Sequence, residues 1–181
     1  GTHNALNATA AIAVAHSLGA DVAKAASGLG GYGGTRRRFE ERGIAAGVRV
    51  IDDYAHHPTE LRAVLSAARG VVTDEGRVWA IFQPHLYSRT MEFRTEFGEA
   101  LGLADEVVVL DVFPAREDPV PGVTGALIAD RVPHENVTFV ESFSEAVPYV
   151  AARVRPGDLV LTLGAGDVTI LGPELLTALE A

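Results

Sequence analysis

Val48-Arg49-Val50-Ile51-Asp52 runs into Asp53-Tyr54-Ala55-His56-His57, and Pro58-Thr59-Glu60-Leu61 opens the next segment. A short aliphatic run that ends in charge and passes to a proline-led segment reads as strand, polar loop and helix. Proline in the first turn of a helix costs no hydrogen bond, because the N–H it lacks has no intrahelical partner there. Val48, Val50 and Ile51 make residues 48–52 mainly aliphatic, as expected of a strand covered on both faces. Outward from this unit the pattern repeats. Residues 78–82, 106–110, 137–140 and 159–163 read as strands; residues 58–69, 91–103, 124–131, 143–154 and 168–179 read as helices. Repeated strand–helix units with right-handed crossovers give an open, doubly wound, mostly parallel α/β sheet. Residues 37–46, turned back at Gly47, add an antiparallel edge strand.

Upstream the character changes. Residues 4–18 are alanine-rich and apolar almost all round, which reads as a buried helix ended by Gly19, with a short second helix over 21–27. Gly28-Leu29-Gly30-Gly31-Tyr32-Gly33-Gly34 has too much backbone freedom for a regular element and reads as a hinge. The expected division is therefore residues 1–35, a helical remnant of a second domain plus the hinge, and residues 36–181, the sheet domain.

Composition narrows the function. Among 181 residues the formal net charge is −9, which disfavours nucleic acid and anionic membrane as partners. No apolar run approaches the roughly 18 residues of a membrane span, and the first residues lack a signal-peptide pattern. The absence of cysteine excludes disulfides and thiolate chemistry and fits a cytoplasmic setting. Lys24, the one lysine, has no glycine-rich loop before it, so no P-loop lies within this chain.

In a doubly wound sheet, ligands bind beyond the carboxyl ends of the strands. Four such ends carry acids, imidazoles or arginines. The Asp52-to-His57 cluster admits three readings: a metal site, a structural cap with His57 at the helix N-cap, or a nucleotide and substrate loop. Adjacent strand residues face opposite sides of a sheet, which argues against all four groups converging on one ion. Gln83-Pro84-His85-Leu86-Tyr87-Ser88-Arg89 reads as an anion grip, with the Arg89 fork near a helix start. Beyond the next strand stand Asp111 and Arg116-Glu117-Asp118. Gly164-Ala165-Gly166-Asp167 resembles half a dinucleotide fingerprint but has Thr169 at the third glycine position; a tight turn with Asp167 as a cap fits it better. Arg36-Arg37-Arg38 is either a solvated strand start or a source of a phosphate ligand. Asn4 and Asn7, beside His3, share a helix face and are either caps or amides for an adenine edge.

These segments, with Gly1-Thr2-His3-Asn4-Ala5-Leu6-Asn7-Ala8 and Arg37-Arg38-Phe39-Glu40, occur in the order found in Mur ligases, and the chain resembles that family over essentially its whole length. The Asp-Asp-Tyr-Ala-His-His-Pro run is shared by the alanine-adding and tripeptide-recycling members; Gln-Pro-His-x-Tyr-Ser-Arg-Thr favours the former. The resemblance implies a Rossmann-like C-terminal domain preceded by the last helices of a central ATPase domain. The rest of the central domain and the N-terminal domain would then be partners within the same protein, and catalysis by this portion alone is not expected. The implied substrates are ATP, UDP-N-acetylmuramate and L-alanine, with Mg2+ held mainly by the central domain and no metal site here.

Residue by residue, the resemblance assigns Asn4 and Asn7 to the adenine, Arg38 to the ATP phosphates and Asp53 to the ribose side. It assigns Tyr54, His56, His85 and Arg89 to the incoming amino acid and the sugar-linked carboxylate, with His56 or His85 taking the amine proton. At Leu86 the chain departs from members that carry an arginine. A stand-alone nucleotide or amino-acid binding module, and a metal hydrolase using Asp52, Asp53, His56 and His57, are the competing readings.

Overall fold

Six strands form one sheet in the order β1-β2-β6-β3-β4-β5 in the computed structural model, which describes residues 2–181. The strands are β1 (Glu40–Ala45), β2 (Val48–Asp53), β3 (Val78–Phe82), β4 (Glu106–Leu110), β5 (Val137–Val140) and β6 (Leu159–Leu163). β1 pairs antiparallel with β2, and every other pairing is parallel. Helices α3 (Pro58–Arg69), α4 (Tyr87–Leu101) and α5 (Ala126–Ala129) cover one face; α6 (Ala146–Ala151) and α7 (Leu171–Glu180) cover the other. The doubly wound α/β expectation and its antiparallel edge are found. β2, β3, β4 and β6 are buried along nearly their whole length, so the continuous aliphatic runs follow from burial on both faces.

The chain divides into two compact units, Gly1–Arg36 and Arg37–Ala181. The first contains α1 (Thr2–Ser17) and α2 (Val22–Gly30). Two expectations fail there. The apolar helix expected to be buried is exposed, with Leu6 at 65% and Leu18 at 83%, because α2 alone cannot surround a helix that is apolar on every side. The glycine stretch also holds regular structure at its start: α2 continues through Gly28 to Gly30, carried by a nucleus that Asp21 caps at Lys24 N (2.9 Å).

In the second unit the strand expected from residue 37 begins only at Glu40, because Arg37 and Phe39 take φ of +56° and +50°, which no strand accommodates. α4 starts at Tyr87, four residues earlier than expected, while the helix expected over 124–131 is the single turn α5. The segment 143–154 splits into a 3₁₀ turn, Phe143–Glu145, and α6. His57 caps α3 as expected: its Nδ1 accepts from Thr59 N, and the Glu60 carboxylate accepts from His57 N at 3.2 Å.

The amino ends of the central strands are tied by charge. Arg77 donates to Asp158, Glu106 and the Arg153 carbonyl. Asp158, 2% exposed, also accepts from Trp79 Nε1 (3.0 Å) and Arg155 N (3.0 Å). Burial alone would raise the Asp158 pKa; these donors outweigh it and hold the carboxyl below its usual range. Arg69 grips Asp105 through two bonds of 2.6 Å, and Asp105 is likewise held low against its burial. A cleft of about 500 Å3 opens at this end beside Tyr149 and Arg153.

Candidate functional site

β6, the last strand in sequence, lies between β2 and β3, and the loops leaving β6 and β3 lie against each other. Gln83 Nε2 donates to Asp167 Oδ1 (2.6 Å), and Gln83 Oε1 accepts from Val168 N (3.2 Å). Asp167 therefore clasps the neighbouring loop instead of capping its helix, because Gly166 occupies the cap position. A Cβ on Gly164, whose φ is +145°, would stand 2.8 Å from the Gln83 carbonyl oxygen; only glycine permits this approach.

Beyond β3 the chain is held in an unusual shape. Leu86 N donates to Phe113 O (3.0 Å) and Phe113 N to Pro84 O (2.8 Å), joining this loop to the one after β4. Leu86 takes φ of +75° at the N-cap of α4, and its carbonyl accepts from the backbone N–H and the hydroxyl of Thr90. Glu117 closes the turn by accepting from Ser88 N (2.9 Å) and the Ser88 hydroxyl. Those bonds, led by the hydroxyl, hold the Glu117 carboxyl below its usual range. Arg89 thus sits in the first turn of α4.

Two polar atoms here are buried without a partner: His85 Nδ1 and Arg89 Nη1. Such atoms are costly unless something satisfies them, and their proximity suits a bound anion. The His85 ring stacks on Phe113 at 5.7 Å. Burial, then the charges of Arg89, His56 and Arg116, lower its pKa from the usual 6.5, so the ring is neutral at pH 7.

A row of side chains leads from this pair along the sheet. His56 lies 6.1 Å from His85 by ring centres, and Tyr54 lies 5.1 Å from His56. Arg37 and Arg38 stand over the Tyr54 ring at 5.0 and 5.7 Å. The Nδ1 of His56 faces two acceptors, Tyr54 O at 2.9 Å and Glu60 Oε2 at 3.3 Å, so Nδ1 carries a hydrogen. Arg38 is half exposed, with a loose ion pair to Glu60 at 4.0 Å.

Of the residues singled out from sequence, Arg38, Tyr54, His56, His85 and Arg89 come together. Asp53 lies at the same end, but both its oxygens are taken, one by Phe39 N (2.7 Å) and one by Ala55 N (2.8 Å). Burial raises its pKa despite these bonds. Asp52 points to the other face, so the two carboxylates do not converge on one ion, and no three-residue metal cluster occurs among the described residues. Asn4 and Asn7 are exposed on α1 of the first unit; the His3 side chain lies outside the described residues. Sequence reading missed Phe113 as the floor under His85 and Glu117 as the clamp on α4. The signal present was the placement of residues 111–118 beyond a strand end.

The six-stranded, doubly wound sheet defines an α/β domain, and residues 37–166 match the family described as Mur ligase, glutamate ligase domain. The chain belongs to that family. It is 62% identical over 182 residues to a UDP-N-acetylmuramate–L-alanine ligase of Saccharopolyspora erythraea and 61% identical over 181 residues to that of Kineococcus radiotolerans, with 99% of this chain covered in each case. It spans only 37% and 38% of those two proteins. Among solved structures it is similar to the UDP-N-acetylmuramate–alanine ligase of Thermotoga maritima, with a TM-score of 0.77, 34% identity, and 98% of this chain and 37% of that one covered. A murein peptide ligase from Psychrobacter arcticus gives a TM-score of 0.73 at 27% identity, covering 99% of this chain and 37% of that one.

Proposed function

We propose that this chain is the amino-acid-presenting part of an ATP-dependent UDP-N-acetylmuramate–L-alanine ligase acting in the cytoplasm. The observation that carries this reading is the buried, unpartnered pair His85 Nδ1 and Arg89 Nη1 at the end of the Arg38–Tyr54–His56 row. The names of its 62% and 61% identical relatives support it.

In this reading ATP phosphorylates the lactyl carboxylate, giving an acyl phosphate and ADP. The alanine amine adds to the acyl carbon, and the tetrahedral intermediate expels phosphate to leave an amide. Arg89 and His85 hold the alanine carboxylate; His56 Nε2 faces the amine and accepts the proton it sheds on attack. Arg38 supplies positive charge to the phosphates as the transferring group develops charge. The contribution of this chain is chiefly positional, because fixing the amine against the acyl carbon removes the entropy of a bimolecular encounter. Asn4 and Asn7 offer amides to adenine. Magnesium finds no fit among the described residues, since the oxygens of Asp53 are already bonded and Asp52 faces away. It belongs outside this chain, with the domains that complete the ligase.

In the complete ligase, Arg89→Ala removes a charge-assisted contact worth about 1.5–3 kcal/mol, so KM for alanine rises roughly 10- to 100-fold while KM for ATP holds. An unchanged alanine KM removes the assignment. Activity with a tripeptide in place of alanine would move the chain to the murein peptide ligases.

A further inference from the structure

Arg38 is presented on a backbone kink. Both of its neighbours are non-glycine residues in the left-handed region, Arg37 at φ +56° and Phe39 at φ +50°. Such a conformation persists only where surrounding bonds over-determine it. Three ties act on the Arg37 and Phe39 backbone: Arg37 N donates to Glu40 Oε2 (2.7 Å), Arg37 O accepts from Tyr54 N (2.7 Å), and Phe39 N donates to Asp53. The Arg37 side chain turns inward. Its Nε donates to Asp52 Oδ2 (3.0 Å) and its Nη2 to the carbonyl of Gly164 (2.7 Å). Asp52 is wholly buried and takes two further bonds, from Thr162 Oγ1 (2.7 Å) and Thr169 Oγ1 (2.8 Å). The turn after β6, which falls short of a dinucleotide fingerprint at Thr169, thereby grips Arg37 from both ends.

We infer that Arg37, Asp52 and Thr169 form a latch of positioning residues that holds the left-handed kink and so aims Arg38 at the phosphates. The inference rests on the proposed role of Arg38. A buried ion pair is a poor source of stability but an effective way to specify one geometry, because a carboxylate fixed by three donors tolerates little displacement. The latch begins at the first residue of the second unit, so Arg38 is rigid with respect to the sheet.

The test is a mutant cycle in the complete ligase. Asp52→Asn keeps the shape and loses the charge, and misaiming Arg38 lowers kcat about 100-fold with alanine KM unchanged. In an Arg38→Ala background the same substitution has no further effect, because there is nothing left to aim. Equal losses in both backgrounds overturn the latch. Where Asp52→Asn does not fold, Thr169→Val and Arg37→Lys serve: each gives a smaller fall in kcat that also vanishes with Arg38→Ala. Amide exchange separates the two levels of failure. Tyr54 N–H is protected in the wild type and exchanges faster in Asp52→Asn if the latch holds the kink. Unchanged protection overturns the latch, and wild-type turnover of Arg38→Ala with faster exchange removes only the phosphate role.

Discussion

The two ends of the sheet use their arginines differently. At the amino end Arg77 bonds to Asp158 and Glu106, and Trp79 to Asp158, while His134 Nδ1 nearby is buried without a partner. At the carboxyl end His85 and Arg89 each keep a buried atom unbonded. One end uses its charges to hold strands together. The other leaves two nitrogens buried and unbonded, which is what the proposed carboxylate contact calls for. Size misleads here: the cleft of about 500 Å3 lies at the amino end, while the smaller one, about 300 Å3, borders Gln83, Phe113 and Asp167.

The sharpest way to break the contrast is Asp158→Ala. It leaves the Trp79 indole N–H and Arg155 N without their acceptor and Arg77 with only Glu106 and the Arg153 carbonyl, and costs about 3 kcal/mol by denaturant unfolding. A loss below about 1 kcal/mol would mean that the amino-end network is ornamental.

Acid separates His85 from the amino-end aspartates by pH window. The folded pKa of His85 lies below 6.5, so the unfolded chain binds the proton more readily; the stability this supplies is full above 6.5 and is lost as pH falls through the folded value. Asp105 and Asp158 are depressed below 3.8, so theirs is full above 3.8 and is lost only as pH falls further, through their folded values. Urea unfolding across pH should therefore show two separate declines. Their merging would break the distinction. Trp79→Phe removes the indole bond and part of a fully buried side chain while leaving Asp158 its other donors, and costs about 2 kcal/mol.

Much of this was legible from sequence, for definable reasons. Val78–Phe82 and Leu159–Leu163 announced their burial through continuous apolar character, and Pro58 with His57 announced the helix start, because both signals are local. The kink at Arg37 and Phe39 was not legible: nothing in Arg-Arg-Phe favours positive φ, and the carboxylates that enforce it lie 14 and 15 residues away. Phe113 escaped notice because an isolated aromatic in an irregular loop has no periodicity. Helix α1 read as buried because composition reports that a surface is apolar and not what covers it. The candidate site was traceable to strand ends, whereas the pairing of His85 Nδ1 with Arg89 Nη1 depends on a helix that begins four residues earlier than its pattern suggests.

The edge strand β1 carries a register shift between Glu41 and Gly43, where Gly43 takes φ of +149° with the Leu176 side chain 3.1 Å from where a Cβ would stand. An irregular, charged margin offers no straight row of amides for a neighbouring molecule to copy. The opposite margin, β5, is only four residues long. Crowded copies of this domain should accordingly resist growing into a shared ribbon, leaving the sheet free to evolve at its loops without the hazard of polymerisation.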